Sequence, residues 1–362
     1  MQFKTLVLTV FILILAVSIA SAEIEVKLTA SDGAAGDYFG RSVHVDGDFA
    51  IVGADRDDVD GTNDAGSAYI FQRSGGAWTQ VAKLTAADKT QADYFGVSVS
   101  ISGDNAIVGS HYEDPDGRSN AGSAYIFVKP GGGWADMTET AKLTASDKAA
   151  SDYFGYSVSI SGDNAIVGAH YTNPGGTSDA GSAYIFVKPG GGWENMTQTA
   201  IITASDKAAS DNFGVSVYMS DDFALVGAYG ADPGGTTDAG SAYLFAKPGG
   251  GWADMTETST ITASDKEDSD RFGSSVSFSG EIYIVGAYGE ESGAGSVYIQ
   301  DPNYGHSIPR DTYEMVGIPV TVVNGDPATL FGDDFGNQDA GSETWRVSRW
   351  SVANQEYERY DE

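Results

Sequence analysis

The chain has no cysteine in its 362 residues. That excludes thiol nucleophiles, thiolate metal centres and disulfide staples, so the fold must rest on burial, backbone pairing or bound ions. Basic residues are scarce too: 20 Lys and Arg stand against 51 Asp and Glu, a formal charge of −31. A surface of that sign repels nucleic acid and anionic lipid and favours cations or basic partners. Helical periodicity is missing from the body of the chain. The long apolar run is confined to Leu6 through about Ala20, behind Lys4 and ahead of the small residues Ala20-Ser21-Ala22. This is the layout of a secretory signal peptide over residues 1–22, and the run is short for a bilayer span of about 20 residues. The mature chain is therefore expected to be secreted or displayed at the cell surface, with no transmembrane segment after cleavage.

What fills the remaining sequence is repetition. Phe-Gly recurs at Phe39-Gly40, Phe95-Gly96, Phe154-Gly155, Phe213-Gly214 and Phe272-Gly273, at spacings of 56, 59, 59 and 59 residues. Glycine followed by a small residue recurs at Gly53-Ala54, Gly109-Ser110, Gly168-Ala169, Gly227-Ala228 and Gly286-Ala287. A third mark, AGSAYIF or a close variant, begins at Ala65, Ala121, Ala180, Ala239 and Ala294. Within one unit, Phe154 to Ser161 alternates large and small residues, the two-residue period of a strand. Ser161-Gly162-Asp163-Asn164 reads as a tight turn, Ala165 to Ala169 as a second strand, Ser182 to Val187 as a third, and Thr199 to Ala204 as a fourth. Four short antiparallel strands in each of five repeats predict an all-β, five-bladed β-propeller over residues 23–300. Lysine on the fourth strand, as at Lys142, suits an outermost edge that must refuse further pairing. The fifth repeat ends after its third strand, whereas the mature chain starts with a KLTASD element, Lys27 to Asp32. The N-terminal strand, Glu25 to Ser31, is thus expected to complete the last blade and close the ring; the alternative is an open arc that takes further blades from another chain.

The Phe-Gly and Gly-Ala marks resemble the FG-GAP repeat family, best known from the amino-terminal propeller of integrin α subunits and from microbial secreted proteins. The resemblance covers about Glu23 to Gln300 and implies the propeller fold, an extracellular setting and a role in adhesion. Two departures stand out. The proline of the family name is absent. The calcium loop that integrin repeats carry between their first two strands is reduced here to SGDN or a relative, and four residues cannot wrap a cation that takes six or more oxygens.

Candidate chemistry lies elsewhere in the repeat. The loops before AGSAY read D-x-D-G-x-x-D/N in the first two copies, Asp58, Asp60 and Asp64, then Asp114, Asp116 and Asn120. Alternate carboxylates around a glycine bend suit calcium, the one cofactor to consider; a solvated Asp-Gly turn is the plainer alternative. Each interblade loop carries two aspartates five residues apart, beginning with Asp32 and Asp37, for which turn capping is the plain role. Trp78, Trp134, Trp193 and Trp252 follow the glycine turns in four repeats, as a ring for sugar stacking or as covers for the blades. Asn195-Met196-Thr197 is a glycosylation sequon. Catalysis needs unlike groups in unlike environments, yet these repeats are near copies, and His111 and His170 occupy equivalent places. The expectation is a non-catalytic module that binds an extracellular protein or glycan. A structural or passenger repeat of a surface layer, or a propeller glycoside hydrolase, are the alternatives; oligomeric state stays open. Residues 301–362 lie outside the repeat and read as a small β-rich segment.

Overall fold

In a computed structural model, residues 25–279, 282–300, 348–351 and 356–359 are described. The proposed leader, residues 1–22, and most of 301–362 lie outside the described residues. Two compact units divide the chain, one ending at Gly305 and one beginning at His306.

The first unit is all-β and consists of five sheets, one per repeat. Blade 1 contains β1 (Ser42–Asp46), β2 (Phe49–Ala54), β3 (Ser67–Ser74) and β4 (Ala77–Thr85). Blade 2 contains β5 (Ser98–Ser102), β6 (Asn105–Ser110), β7 (Ser123–Val128) and β9 (Ala141–Thr144), and the two-residue β8 (Met137–Thr138) between β7 and β9 joins the sheet of blade 1. Blade 3 repeats this with β10 (Ser157–Ser161), β11 (Asn164–Ala169), β12 (Ser182–Val187), β13 (Met196–Thr197) and β14 (Ala200–Ile202). Blade 4 has β15 (Ser216–Met219), β16 (Phe223–Ala228), β17 (Ser241–Ala246) and β18 (Ser259–Ile261), and blade 5 has β19 (Phe272–Ser279), β20 (Ile282–Ala287) and β21 (Ser296–Gln300). In the second unit, β22 (Ser348–Ser351) pairs antiparallel with β23 (Glu356–Arg359). Among the described residues, no helix is long and apolar enough to cross a membrane.

The two-residue period does what it predicts. Gly168, Val167 and Ile166 pair with Ser157, Val158 and Ser159 on one side and with Ala183, Tyr184 and Ile185 on the other, in unbroken antiparallel register. Each of blades 2 to 4 packs both faces against its neighbours. Ile107, Ala124, Ile126 and Leu143 of blade 2 form one cluster with Phe154, Val158, Ile160, Val167 and Phe186 of blade 3. The same contact recurs between blades 1 and 2 and between blades 3 and 4. The core is therefore a series of equivalent junctions rather than one centre.

Two expectations need correction. The fourth strand is not a free edge held off by lysine. Met137 and Thr138 of β8 pair in parallel with Leu84 and Thr85 of β4, and β13 pairs likewise with β9. The segment that follows Trp134, Trp193 and Trp252 thus reaches back and clamps the preceding blade. Nor does the N-terminal strand close the ring here. Glu25 to Ala30 forms no strand, and among the described residues β21 pairs only with β20. Leu28 and Ala30 instead pack on the blade 1 cluster of Val52, Tyr69 and Phe71.

Candidate functional site

The residue before each Phe-Gly pair is held in the left-handed region: Tyr38, Tyr94, Tyr153, Asn212 and Arg271, with φ between 53° and 61°. Tyr38 holds it with no preceding blade, so the conformation belongs to the loop itself, and the four internal junctions bond to it. The N–H groups of Tyr94, Tyr153, Asn212 and Arg271 donate to the carbonyls of Asp64, Asn120, Asp179 and Asp238 in the preceding blade, at 3.1–3.3 Å. Asparagine tolerates that conformation best. Tyrosine at three of the five positions carries backbone strain, of the sort that gathers at functional sites.

These tyrosines assemble a continuous row along one rim. The Arg56 guanidinium lies between the rings of Tyr38 and Tyr94, 4.9 and 5.2 Å from their centroids. Tyr94 meets Tyr112 edge-on at 5.2 Å, Tyr112 meets Tyr153 at 5.1 Å, and Tyr153 meets Tyr171 at 5.3 Å. Beneath the row, His111 and His170 are buried and lie 4.2 Å from the rings of Tyr112 and Tyr171. Burial pushes both imidazoles down, His111 to about 3 with help from the nearby His170 and Arg41, and His170 to about 4. They are thus neutral supports at neutral pH. Tyr38 and Arg56 are exposed, and the other tyrosines are half-buried. Beside the row, Thr90, Asp93, Tyr94, Tyr112, Asp114 and Asn120 line a shallow cleft of about 380 Å³.

The aspartate pairs have structural duties. The second member caps a turn three residues back: Asp37, Asp152 and Asp211 accept from the N–H of Ala34, Ala149 and Ala208, each at 2.6 Å. Burial raises Asp93, Asp152 and Asp211 to about 6. The first member accepts from a tyrosine of the third strand, as Asp32 does from Tyr69, Asp88 from Tyr125 and Asp265 from Tyr298, each at 2.9 Å.

The candidate calcium ligands are present but divided among tasks. Asp58 and Asp114 each accept the N–H six residues on, from Asp64 at 2.9 Å and from Asn120 at 2.6 Å. Asn173 makes the same bond to Asp179, so the bond does not require a charge. Asp60 and Asp116 are exposed and pair with Lys89 and Lys148 at 3.1 Å. Among the described residues, no group of three or more acidic or histidine side chains converges as a metal shell would.

The tryptophans lie inward. Trp134, Trp193 and Trp252 are buried in the junction clusters, which leaves no ring face for a sugar, and Trp78 packs on blade 1 with Arg73 over its ring. Asn195 is exposed, and its Oδ1 accepts the N–H of Lys142 at 2.8 Å, the bond that Asp136 makes to Lys83. Sequence reasoning passed over the tyrosine row. Its signal was the residue before Phe-Gly, read as Tyr, Tyr, Tyr, Asn and Arg, together with Arg56, Tyr112 and Tyr171 after the second strand.

The FG-GAP repeat profile matches the chain five times, over residues 23–71, 78–127, 137–186, 196–245 and 255–300. No individually curated protein matches it. Among solved structures, the periplasmic gluconolactonase of Pseudomonas aeruginosa is similar at 13% identity over 72% of each chain, with a TM-score of 0.45.

Proposed function

Because the chain belongs to the FG-GAP repeat family, we propose that it is a secreted or cell-surface recognition module, non-catalytic, which takes an extracellular protein partner on its tyrosine rim. The observation that carries this reading is the row Tyr38, Arg56, Tyr94, Tyr112, Tyr153 and Tyr171. Tyrosine and arginine are the residues that dominate protein contact energetics, because they offer large, stiff, amphipathic surface. The surrounding acidity selects for basic segments in that partner. A non-catalytic role is supported by the equivalence of the blades: carboxylates that stand in the same place in successive copies cap the same turns, and the two buried histidines stand in the same place.

The test is binding of the full chain to arrays of matrix proteins and of glycans, with and without chelator, against a Tyr112→Ala/Tyr153→Ala variant. Saturable capture by a basic protein, weakened at least tenfold in the variant, about 1.4 kcal/mol, is expected. Chelator should leave it unchanged, since the loop carboxylates are already engaged. Capture by glycans alone would replace the protein partner, and no capture under any condition would sink the recognition role.

A further inference from the structure

The two ends of the blade series expose apolar faces whose counterparts are buried at the junctions of blades 1 to 4. On β1, Val43 and Val45 are 68% and 61% exposed, whereas their counterparts Val99, Val158 and Val217, and Ile101, Ile160 and Met219, are at most 8% exposed. On β21, Val297 and Ile299 are 61% and 66% exposed, whereas their counterparts Ala183 and Ile185 are fully buried. In each internal junction, the equivalents of Val297 and Ile299 pack against the equivalents of Val43 and Val45 in the next blade. The exposed faces are therefore the two halves of one interface, a front on blade 5 and a back on blade 1.

Polar groups repeat the match. Ser42, Ser98, Ser157 and Ser216 each donate to the Phe-Gly carbonyl of the following blade at 2.8 Å. Ser275 is the fifth in that series and is exposed. Charge makes the match specific. Lys83 in β4 pairs with Asp57 and Asp32, and Lys142 in β9 pairs with Glu113 and Asp88. Where the lysine is replaced, by Ile201 and Thr260, the acid at the Asp57 position is replaced as well, by Thr172 and Ala231. Blade 5 keeps an acid there, the buried Glu290. The lysine that corresponds to it is Lys27, which is exposed in the N-terminal segment on the back of blade 1.

We propose that the front of blade 5 receives the back of blade 1 from a second copy of this chain, with the partner's N-terminal segment, Glu25 to Ala30, added to β21 as its fourth strand. Closure within one chain would have to alter four junctions that are each locked by the same serine–glycine bond. A second copy needs no such change. The contact is heterologous, head to tail, so an assembly of any length keeps one free front and one free back. It lacks the Met-Thr clamp of the linked blades, and it is therefore reversible and dependent on concentration.

Sedimentation velocity of the full chain over a wide concentration range tests this. The wild type should associate progressively. Val45→Asp blocks the back and Ile299→Asp blocks the front; both sites are exposed, so each variant should stay folded by circular dichroism yet associate at least tenfold more weakly. An equimolar mixture of the two variants should form a dimer and nothing larger, because one intact front meets one intact back. Lys27→Glu should weaken association and Glu290→Lys added to it should restore it. A wild type that sediments as a monomer throughout would overturn the proposal, as would either blocked variant associating with itself as strongly as the wild type.

Discussion

The glycine of the Gly-Ala mark stands, in the first four repeats, where no other residue fits. A Cβ on Gly53, Gly109, Gly168 or Gly227 would fall inside the carbonyl oxygen of the following blade's Phe-Gly glycine. That same carbonyl receives the hydroxyl of the first-strand serine, Ser157 in the case of Gly214. The two glycine marks of the repeat are thus two sides of one contact, and the phenylalanine beside them fills the cluster behind it, fully buried at Phe95, Phe154 and Phe213. Since the opposing atom is backbone, it yields only by separating the blades. Gly168→Ala is expected to destabilise the protein by on the order of 3 kcal/mol, and Ser157→Ala by about 1 kcal/mol. Gly191→Ala, at an exposed turn with nothing within 4 Å, is the control and should stay within about 0.5 kcal/mol. Urea unfolding of the three variants checks the order; equal midpoints for Gly168→Ala and Gly191→Ala would refute the account of the motif.

At the level of the strand, the blades solve one problem in two ways. In blades 1 and 2 the third-strand tyrosine, a lysine and two acids form a network, with Lys142 2.6 Å from Asp88 and 2.9 Å from Glu113. Burial works against the ammonium, but the bonds to Asp88 and Glu113 prevail and hold Lys142 above its usual range. Blade 3 has Ile201 and Thr172 instead, and Thr172 bonds Ser182 at 2.8 Å. Removing one charge of a buried pair strands the other. Lys142→Ile alone is therefore expected to cost about 3 kcal/mol, whereas Lys142→Ile/Glu113→Thr, which copies blade 3, should return to within about 1 kcal/mol of wild type. Additive losses in the double variant would show that the two residues do not act together. Strand order and register within a blade were legible because alternation and tight turns are local. The Met-Thr clamp was not, since two residues carry no period and their partner lies in another repeat. The tyrosine row was hidden for a related reason: its rings meet across junctions, as Tyr153 of blade 3 meets Tyr112 of blade 2. The tryptophan spacing fits a rim ring and a buried cover equally, and only the junction packing decides between them.

For the molecule as a whole, the buried ionisable groups set opposing responses to pH. Asp93, Asp152 and Asp211 keep their protons up to about 6 in the fold. Their unfolded counterparts release them near 3.9. The fold binds more protons in that window, so this contribution is full at low pH and is lost as pH rises toward 6. His111 and His170 act the other way. They stay neutral in the fold down to about 3 and about 4, whereas unfolded histidine protonates near 6.5, so their contribution is full above that value and falls as the pH drops. Over pH 4–6 the three aspartates outweigh the two histidines by one proton, so from these groups the wild type should lose about 1.4 kcal/mol per pH unit as the pH rises there. Blades 4 and 5 carry Tyr229 and Tyr288 where blades 2 and 3 carry these histidines, so His111→Tyr/His170→Tyr is a change that the repeat already accommodates. It removes a penalty of about 1.4 kcal/mol per histidine per pH unit below 6.5. Relative to wild type, the double variant should therefore gain roughly 4 kcal/mol in stability between pH 7 and pH 5, measured by urea unfolding at each pH. Identical pH slopes for the two proteins would mean that the imidazoles are protonated in the fold, and that the tyrosine row rests on charged rather than neutral supports.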